Sequence, residues 1–249
     1  MQRVIVVFIA CLIQFQGYSK QAFKKIPVSK DIELIQVSEN AYVHVSWANF
    51  ENFGRVPCNG LVYIQNREAF LFDTPATDSM TKELVNYLRD SLKLEIKGFV
   101  PNHWHSDCMG GLGYLQSQKI ESYASQKTIK LAKSNHLPVP AHGFKDSLQL
   151  RLGDKLINCY YFGPAHSLDN IVVWIPSEKI LFAGCMVKSM ASEDLGNTAD
   201  GDLVAYPKTI ELVLKRFGNA RIVIPGHGDS GGTELIRHTL EIVEKHKLP

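Results

Sequence analysis

Four times along this chain a β-rich apolar run stops at a small-residue loop that carries a metal-binding side chain. Residues 102–111 read NHWHSDCMGG and follow the short strand expected over Ile96–Val100. They place His103, His105 and Asp107 at i, i+2 and i+4. Gly163-Pro164-Ala165-His166, Ala183-Gly184-Cys185 and Pro225-Gly226-His227-Gly228 repeat the arrangement after later apolar runs. Strand ends fix geometry while loops bring side chains together. A fold that uses all four stations must gather four strand ends at one place. Alternate residues of an extended segment share a side, so His103 and His105 can reach one ion, and Asp107 the same ion or a neighbour. Surface histidines with a capping aspartate would explain one station but not four.

The stations offer four histidines, one aspartate and one cysteine. Six ligands are too many for one tetrahedral zinc and suit two ions with open positions. A three-histidine group leaves a fourth position for water, whose pKa the metal lowers towards ~7. A group of Asp, Cys and His includes a soft thiolate, which favours zinc over magnesium or calcium. The chemistry this points to is metal-assisted hydrolysis. Gly110 and Gly111 are read as freeing the backbone to turn tightly and start a helix.

Around the stations, Ile32–Val37 and Tyr42–Val45 alternate as half-buried strands. Leu61–Ile64 and Phe70–Phe72 form a pair turning at residues 65–68. Thr77 begins a helix with Met80, Leu84, Tyr87, Leu88 and Leu92 along one face. Strands are expected again at Ser147–Leu152, Lys155–Phe162, Ile171–Trp174, Ile180–Phe182 and Arg221–Ile224, with helices at Leu203–Phe217 and Thr233–Lys245. Strands then helix, twice, implies an α/β (α+β) sandwich: two sheets face to face, with helices on both outer faces.

The first residues stand apart. Arg3 is the only charge before Lys20, Val4–Ile13 is an apolar run too short to span a bilayer, and Gly17 and Ser19 follow. This is a signal-peptide layout over residues 1–19, which implies export to the periplasm and a single domain over 20–249. The alternative is a lipid anchor at Cys11. No later segment is long and apolar enough to span. The formal net charge is +2, one less once Arg3 leaves with the leader, so nothing favours nucleic acid or anionic membrane as partner. Cys58, Cys108, Cys159 and Cys185 would remain. An oxidising compartment allows two disulfides, but 249 residues at 45% hydrophobic can bury a core without them.

Together, HWHSD at 103–107, GPAH at 163–166, AGC at 183–185 and PGHG at 225–228 resemble the metallo-β-lactamase superfamily, and the αββα sandwich of that superfamily agrees with the layout above. Most of its other hydrolases carry a histidine directly after the motif aspartate and an aspartate at the third station. This chain has Cys108 and Cys185, and a cysteine at the third station is the mark of the zinc β-lactamases of subclass B1. DTP at 73–75, LGN at 195–197, YPKT at 206–209 and PGHGDSGGTEL at 225–235 extend the likeness over essentially the whole exported chain.

The resemblance implies a monomeric enzyme with two Zn2+ ions per monomer. It would open the β-lactam amide of penicillins, cephalosporins and carbapenems by a metal-bound hydroxide and so confer antibiotic resistance. His103, His105 and His166 would hold the first ion, and Asp107, Cys185 and His227 the second. Asp107 would orient the attacking water, Asn197 would donate to the lactam carbonyl, and Lys188 would pair with the substrate carboxylate. Asp73 and Cys108 would lie behind the ligands. The segment SWANFENFGRV at 46–56 stands where the family has a mobile flap, with Trp47, Phe50 and Phe53 as substrate-covering aromatics. Cys58, in PCNG, stands where a small polar residue is more usual and is read as a buried thiol. Two other readings keep the same ligands: an exported dizinc hydrolase acting on a lactone, thioester or phosphodiester, and a non-catalytic zinc-binding protein.

Overall fold

The computed structural model describes residues 24–246, so the export segment 1–19 and the alternative anchor Cys11 lie outside the described residues. Six strands come first: β1 (Lys25–Pro27), β2 (Ile32–Gln36), β3 (Ala41–Phe50), β4 (Gly54–Gln65), β5 (Glu68–Phe72) and, after helix α1 (Asp78–Asn86), β6 (Glu95–Val100). They form one sheet in chain order, antiparallel except for the parallel pair β5–β6. The stretch that follows holds α2 (Ser106–Met109), α3 (Leu112–Ser117), β7 (Tyr123–Ser125), α4 (Gln126–Ser134) and β8 (His142–Phe144). A second sheet takes β9 (Ser147–Leu152), β10 (Lys155–Tyr160), β11 (Val172–Ile175), β12 (Ile180–Gly184) and, after α5 (Tyr206–Phe217), β13 (Ile222–Pro225). Its order is β13-β12-β11-β10-β9, again ending in a parallel pair, and α6 (Glu234–Lys245) closes the chain.

Period-two alternation builds the layers. Leu61, Phe72, Val100, Val173, Phe182 and Ile224 point inward to the cluster between the sheets. Their neighbours Val62, Leu71 and Phe99 point outward against Leu84, Leu88, Leu112 and Ala132 of the helices on that side. Val172, Leu181 and Val223 do the same against Ile210, Val213, Phe217 and Ile236 of α5 and α6. Strands buried on both faces need apolar residues at consecutive positions, which is why the central strands read as unbroken hydrophobic runs. The result is the αββα sandwich. No helix among the described residues is long and apolar enough to cross a membrane. Cys58, Cys108, Cys159 and Cys185 are all free and buried, so no disulfide forms among them.

Some local expectations change. β3 and β4 do not end near Val45 and Leu61 but run on into the expected flap, paired through Phe50↔Gly54 and closed by residues 51–53. The stripe from Met80 to Leu92 is not one α-helix: the chain widens into a π-helical turn at Tyr87–Ser91, which keeps Leu88 buried. Gly110 and Gly111 are needed for space, not for freedom of φ. A Cβ on Gly111 would lie 1.8 Å from Thr81 Oγ1, and one on Gly110 would lie 2.1 Å from the Ala76 carbonyl. The ligand loop is thereby packed down onto the start of α1.

Candidate metal centre

His103, His105 and Asp107 follow β6, His166 follows β10, Cys185 follows β12 and His227 follows β13. His105 takes the N-cap position of α2, which places Asp107 in its first turn. Gly184, at φ +57°, turns the chain immediately before Cys185. The donor atoms of His103, His105 and His166 lie within 4.8 Å of one another, and His103 Nε2 is 2.8 Å from His105 Nδ1. In the second group Cys185 Sγ is 3.4 Å from Asp107 Oδ2 and 3.4 Å from His227 Nε2. Asp107 Oδ2 is 3.3 Å from His227 Nε2. A tetrahedral zinc with bonds of about 2.0 Å to N or O and about 2.3 Å to S spaces its donors about 3.3–3.5 Å apart. The Asp107–Cys185–His227 triangle has that size and that mix of donors. Asp107 spans both groups, its other oxygen lying 4.0 Å from His103 Nε2.

Metal-binding histidines usually donate their second ring nitrogen to an oriented acceptor. His227 Nδ1 lies 2.8 Å from the Pro57 carbonyl, and His105 Nε2 lies 2.8 Å from Asp200 Oδ2. His103 Nδ1 lies 3.1 Å from the buried Cys108 Sγ. Asp73 is fully buried in a left-handed backbone conformation (φ +59°). Its Oδ1 accepts from the backbone N–H of Asn102, the residue before the first ligand.

The electrostatics prepare the ligands. Burial, followed by the charge of His105, holds His103 down at about 3, and burial pulls His166 well below the usual imidazole range. Both therefore present neutral rings with a lone pair. Burial alone would raise Asp107, but the hydrogen bond from His227 and the nearby imidazoles hold it well below the usual carboxylate range. Hydrogen bonding from Cys108 draws Cys185 down to about 6 against the effect of burial. His227 responds to these negative neighbours: burial lowers its pKa, but Cys185 and Asp107 carry it well above 6.5.

A pocket of about 490 Å³ opens over both groups, lined by His105, Asp107, His166 and His227 and by Lys188, Asn197, Trp104, Leu137, Phe50, Phe53 and Val56. Lys188 is almost fully buried, and burial lowers its pKa. Asn197 lines the pocket, and its side-chain oxygen accepts from the Ala199 N–H, which leaves its amide NH2 free to donate. Trp47 does not line the pocket. It is out of phase with Ala48 and Phe50 on β3, and its ring lies against the Arg55 guanidinium at 4.9 Å. The apolar flap surface is Phe50, Phe53 and Val56. A second cleft, of about 450 Å³, lies at the other ends of β10 and β13 and is lined by Asn40, Lys155, Glu178 and Arg221, with no donor cluster.

The sequence reading did not single out Asp200, Asn59 or Leu137. Asn59 donates from its side chain to the carbonyls of Pro225, at 2.9 Å, and Gly228, at 2.7 Å, on either side of His227. Asp200, three residues beyond Asn197, could have been found as an acidic residue near a ligand loop. Asn59 carries no such signal, because a polar residue in a strand reads as an exposed face.

The sequence profile of the metallo-beta-lactamase superfamily matches residues 53–227, a span that reaches from the β3–β4 turn to His227. The chain belongs to this superfamily. A metallo-beta-lactamase type 2 from Bacteroides fragilis is 51% identical over 225 residues, covering 90% of each chain. A solved metallo-beta-lactamase from Pontibacter korlensis superposes with TM-score 0.83 at 34% identity, covering 86% of this chain and 100% of that one. The metallo-beta-lactamase FIM-1 from Pseudomonas aeruginosa, solved in a mono-zinc form, gives TM-score 0.82 at 33% identity over 90% of this chain and 99% of that one. Membership of the superfamily implies bound metal, and the two donor groups are where this chain can hold it.

Proposed function

We propose that this metallo-beta-lactamase fold is a zinc β-lactamase of subclass B1 that hydrolyses the lactam amide of penicillins, cephalosporins and carbapenems. One observation carries the reading. Two donor triads, one of three imidazoles and one of Asp107, Cys185 and His227, sit side by side beneath a pocket lined by a buried lysine and an exposed asparagine. His103, His105 and His166 would hold one Zn2+, and Asp107, Cys185 and His227 the other. Bound there, zinc supplies Lewis acidity, which lowers the pKa of water and stabilises charge on the departing nitrogen.

The side chains do the rest. The free oxygen of Asp107 accepts a hydrogen bond from the attacking water and fixes its direction. Asn197 Nδ2 donates to the lactam oxygen as that oxygen gains charge, the preorganised stabilisation that contributes most in a site shielded from water. Lys188 Nζ binds the carboxylate these antibiotics share, and Phe50, Phe53 and Val56 cover the apolar side of the substrate. Asp73 and Cys108 hold the ligand loop from behind. Residues 1–19 direct export to the periplasm, with lipidation at Cys11 as the alternative, and residues 20–249 act as a monomer.

The test is turnover of a carbapenem with and without a zinc chelator, with zinc counted in the same sample. Chelator-sensitive hydrolysis, lost together with one zinc in Cys185→Ser, is the expected result. Normal zinc binding with no turnover of any β-lactam class would overturn the reading.

A further inference from the structure

We propose, on the β-lactamase reading above, that Leu137, backed by Trp104, is a specificity wall for the apolar substituent carried on the lactam carbon next to the carbonyl.

The pocket has two facing walls. Lys188 stands on the side of the second sheet, where its backbone N–H donates to Thr239 Oγ1 of α6 at 2.8 Å. Trp104 and Leu137 stand on the side of the first sheet. The Trp104 ring packs into the cluster between that sheet and α1, α3 and α4, and it meets the His105 ring edge-on at 4.8 Å. Ala132 and Val139, before and after Leu137 in the chain, pack into the same cluster. Trp104 and Leu137 both line the pocket, and Leu137 stays 36% exposed there.

A single exposed leucine is ordinary, but the backbone of this one is fixed. α4 ends in a Schellman motif: the Leu137 N–H donates to the Ala132 carbonyl at 3.0 Å and the His136 N–H to the Lys133 carbonyl at 3.2 Å. His136 takes the left-handed position of that motif at φ +55°, where glycine is usual. Pro138 and Pro140 then flank Val139, whose carbonyl accepts from the Gln116 side chain at 2.8 Å. Two prolines lock φ on the far side of Leu137. The wall is therefore preorganised, which lowers the ordering cost of binding.

The connectivity of the substrate selects what meets it. In a bicyclic β-lactam the carboxylate sits on a carbon bonded to the ring nitrogen. The variable acylamino or alkyl substituent sits on the carbon at the other side of the carbonyl. With the carboxylate on Lys188 and the carbonyl at Asn197, that substituent points away from α6 and towards Trp104 and Leu137. An indole and a leucine favour an aromatic or branched apolar group there over a short one.

Two cephalosporins that differ only in the acyl group, N-phenylacetyl against N-acetyl, provide the test. Steady-state kinetics would be measured on the full exported chain as wild type, Leu137→Ala, Leu137→Gln and Leu137→Met, with zinc counted and folding checked by circular dichroism. In Leu137→Ala and Leu137→Gln we expect KM for the phenylacetyl substrate to rise about tenfold with kcat kept, the low end for one apolar pocket contact. KM for the acetyl substrate, and for a carbapenem with its small hydroxyethyl group, should stay at the wild-type value. Leu137→Met keeps the apolar bulk and should match wild type on all three. An unchanged ratio of the two cephalosporin KM values in a folded, zinc-loaded Leu137→Ala would overturn this proposal alone, and so would an equal loss on both substrates. A wild-type protein that turns over neither cephalosporin nor the carbapenem would overturn the β-lactamase reading beneath it as well.

Discussion

Asn59→Ala offers a test of how the second metal position is held. Asn59 is 3% exposed and bridges two loops: its amide reaches the carbonyls of Pro225 and Gly228, flanking His227. Two intramolecular hydrogen bonds are worth about 1–3 kcal/mol together. The Pro225 carbonyl is buried and loses a donor it cannot replace with bulk water, whereas the exposed Gly228 carbonyl can turn to solvent. The loss should therefore lie towards the upper end, at about 2–3 kcal/mol. For a chain of this size that corresponds to a fall in Tm of about 5–10 °C. The damage should also be local. His227 would lose the frame that orients it, so zinc at the second position should weaken by about 10- to 100-fold while the first position changes little. Urea unfolding of the metal-free protein measures the first effect, and chelator competition measures the second. A stability loss below about 0.5 kcal/mol, within the range of an ordinary surface change, would refute the account. So would equal weakening of both zinc positions.

Three further outcomes follow from the same geometry. Lys188→Ala should raise KM for carboxylate-bearing lactams by roughly 10- to 100-fold, from the 1.5–3 kcal/mol of a charged hydrogen bond; steady-state kinetics on one carbapenem would show an unchanged KM if Lys188 does not touch substrate. Asp200→Asn removes the charged acceptor 2.8 Å from His105 Nε2 and should weaken the first zinc about 10- to 100-fold, leaving the second alone, by the same chelator competition. Burial holds His44 at about 4, so the folded protein keeps it neutral while the unfolded chain takes up a proton below about 6.5. Its contribution is complete above pH 6.5 and falls away towards pH 4, by about 2 kcal/mol at pH 5. His44→Gln should flatten that part of the metal-free stability profile, and a slope identical to wild type would exclude the assignment.

Much of this architecture is written in period-two and station patterns. Val62, Leu71, Leu181 and Val223 alternate with inward neighbours in runs that only a doubly covered sheet requires, so the central strands and the two flanking helix layers were legible. So were the positions of the candidate donors, because each comes immediately after such a run. Three things were less legible. The stretch from Tyr123 to Phe144, with α4 and a short parallel strand pair, has weak periodicity, and its structure comes from packing against the first sheet. The flap aromatics look equivalent in sequence, yet the register Ala48↔Val56 sends Trp47 to the opposite face from Phe50. Gly110 and Gly111 looked like turn formers, and only the position of Thr81 reveals that they clear space. In each case the deciding contact is distant in sequence.

Each candidate metal position draws donors from both sheets. The loop after β6 supplies His103, His105 and Asp107, and the ends of β10, β12 and β13 supply His166, Cys185 and His227. The ions would then act as clasps across the seam of the sandwich, and metal affinity and cohesion of the two layers become one free energy read from two ends. A core substitution far from the pocket that eases the layers apart should surface as weaker zinc binding. Where zinc is scarce the same linkage would part the layers more often and hand the chain to proteases, so that scarcity of the metal removes the protein as well as its activity.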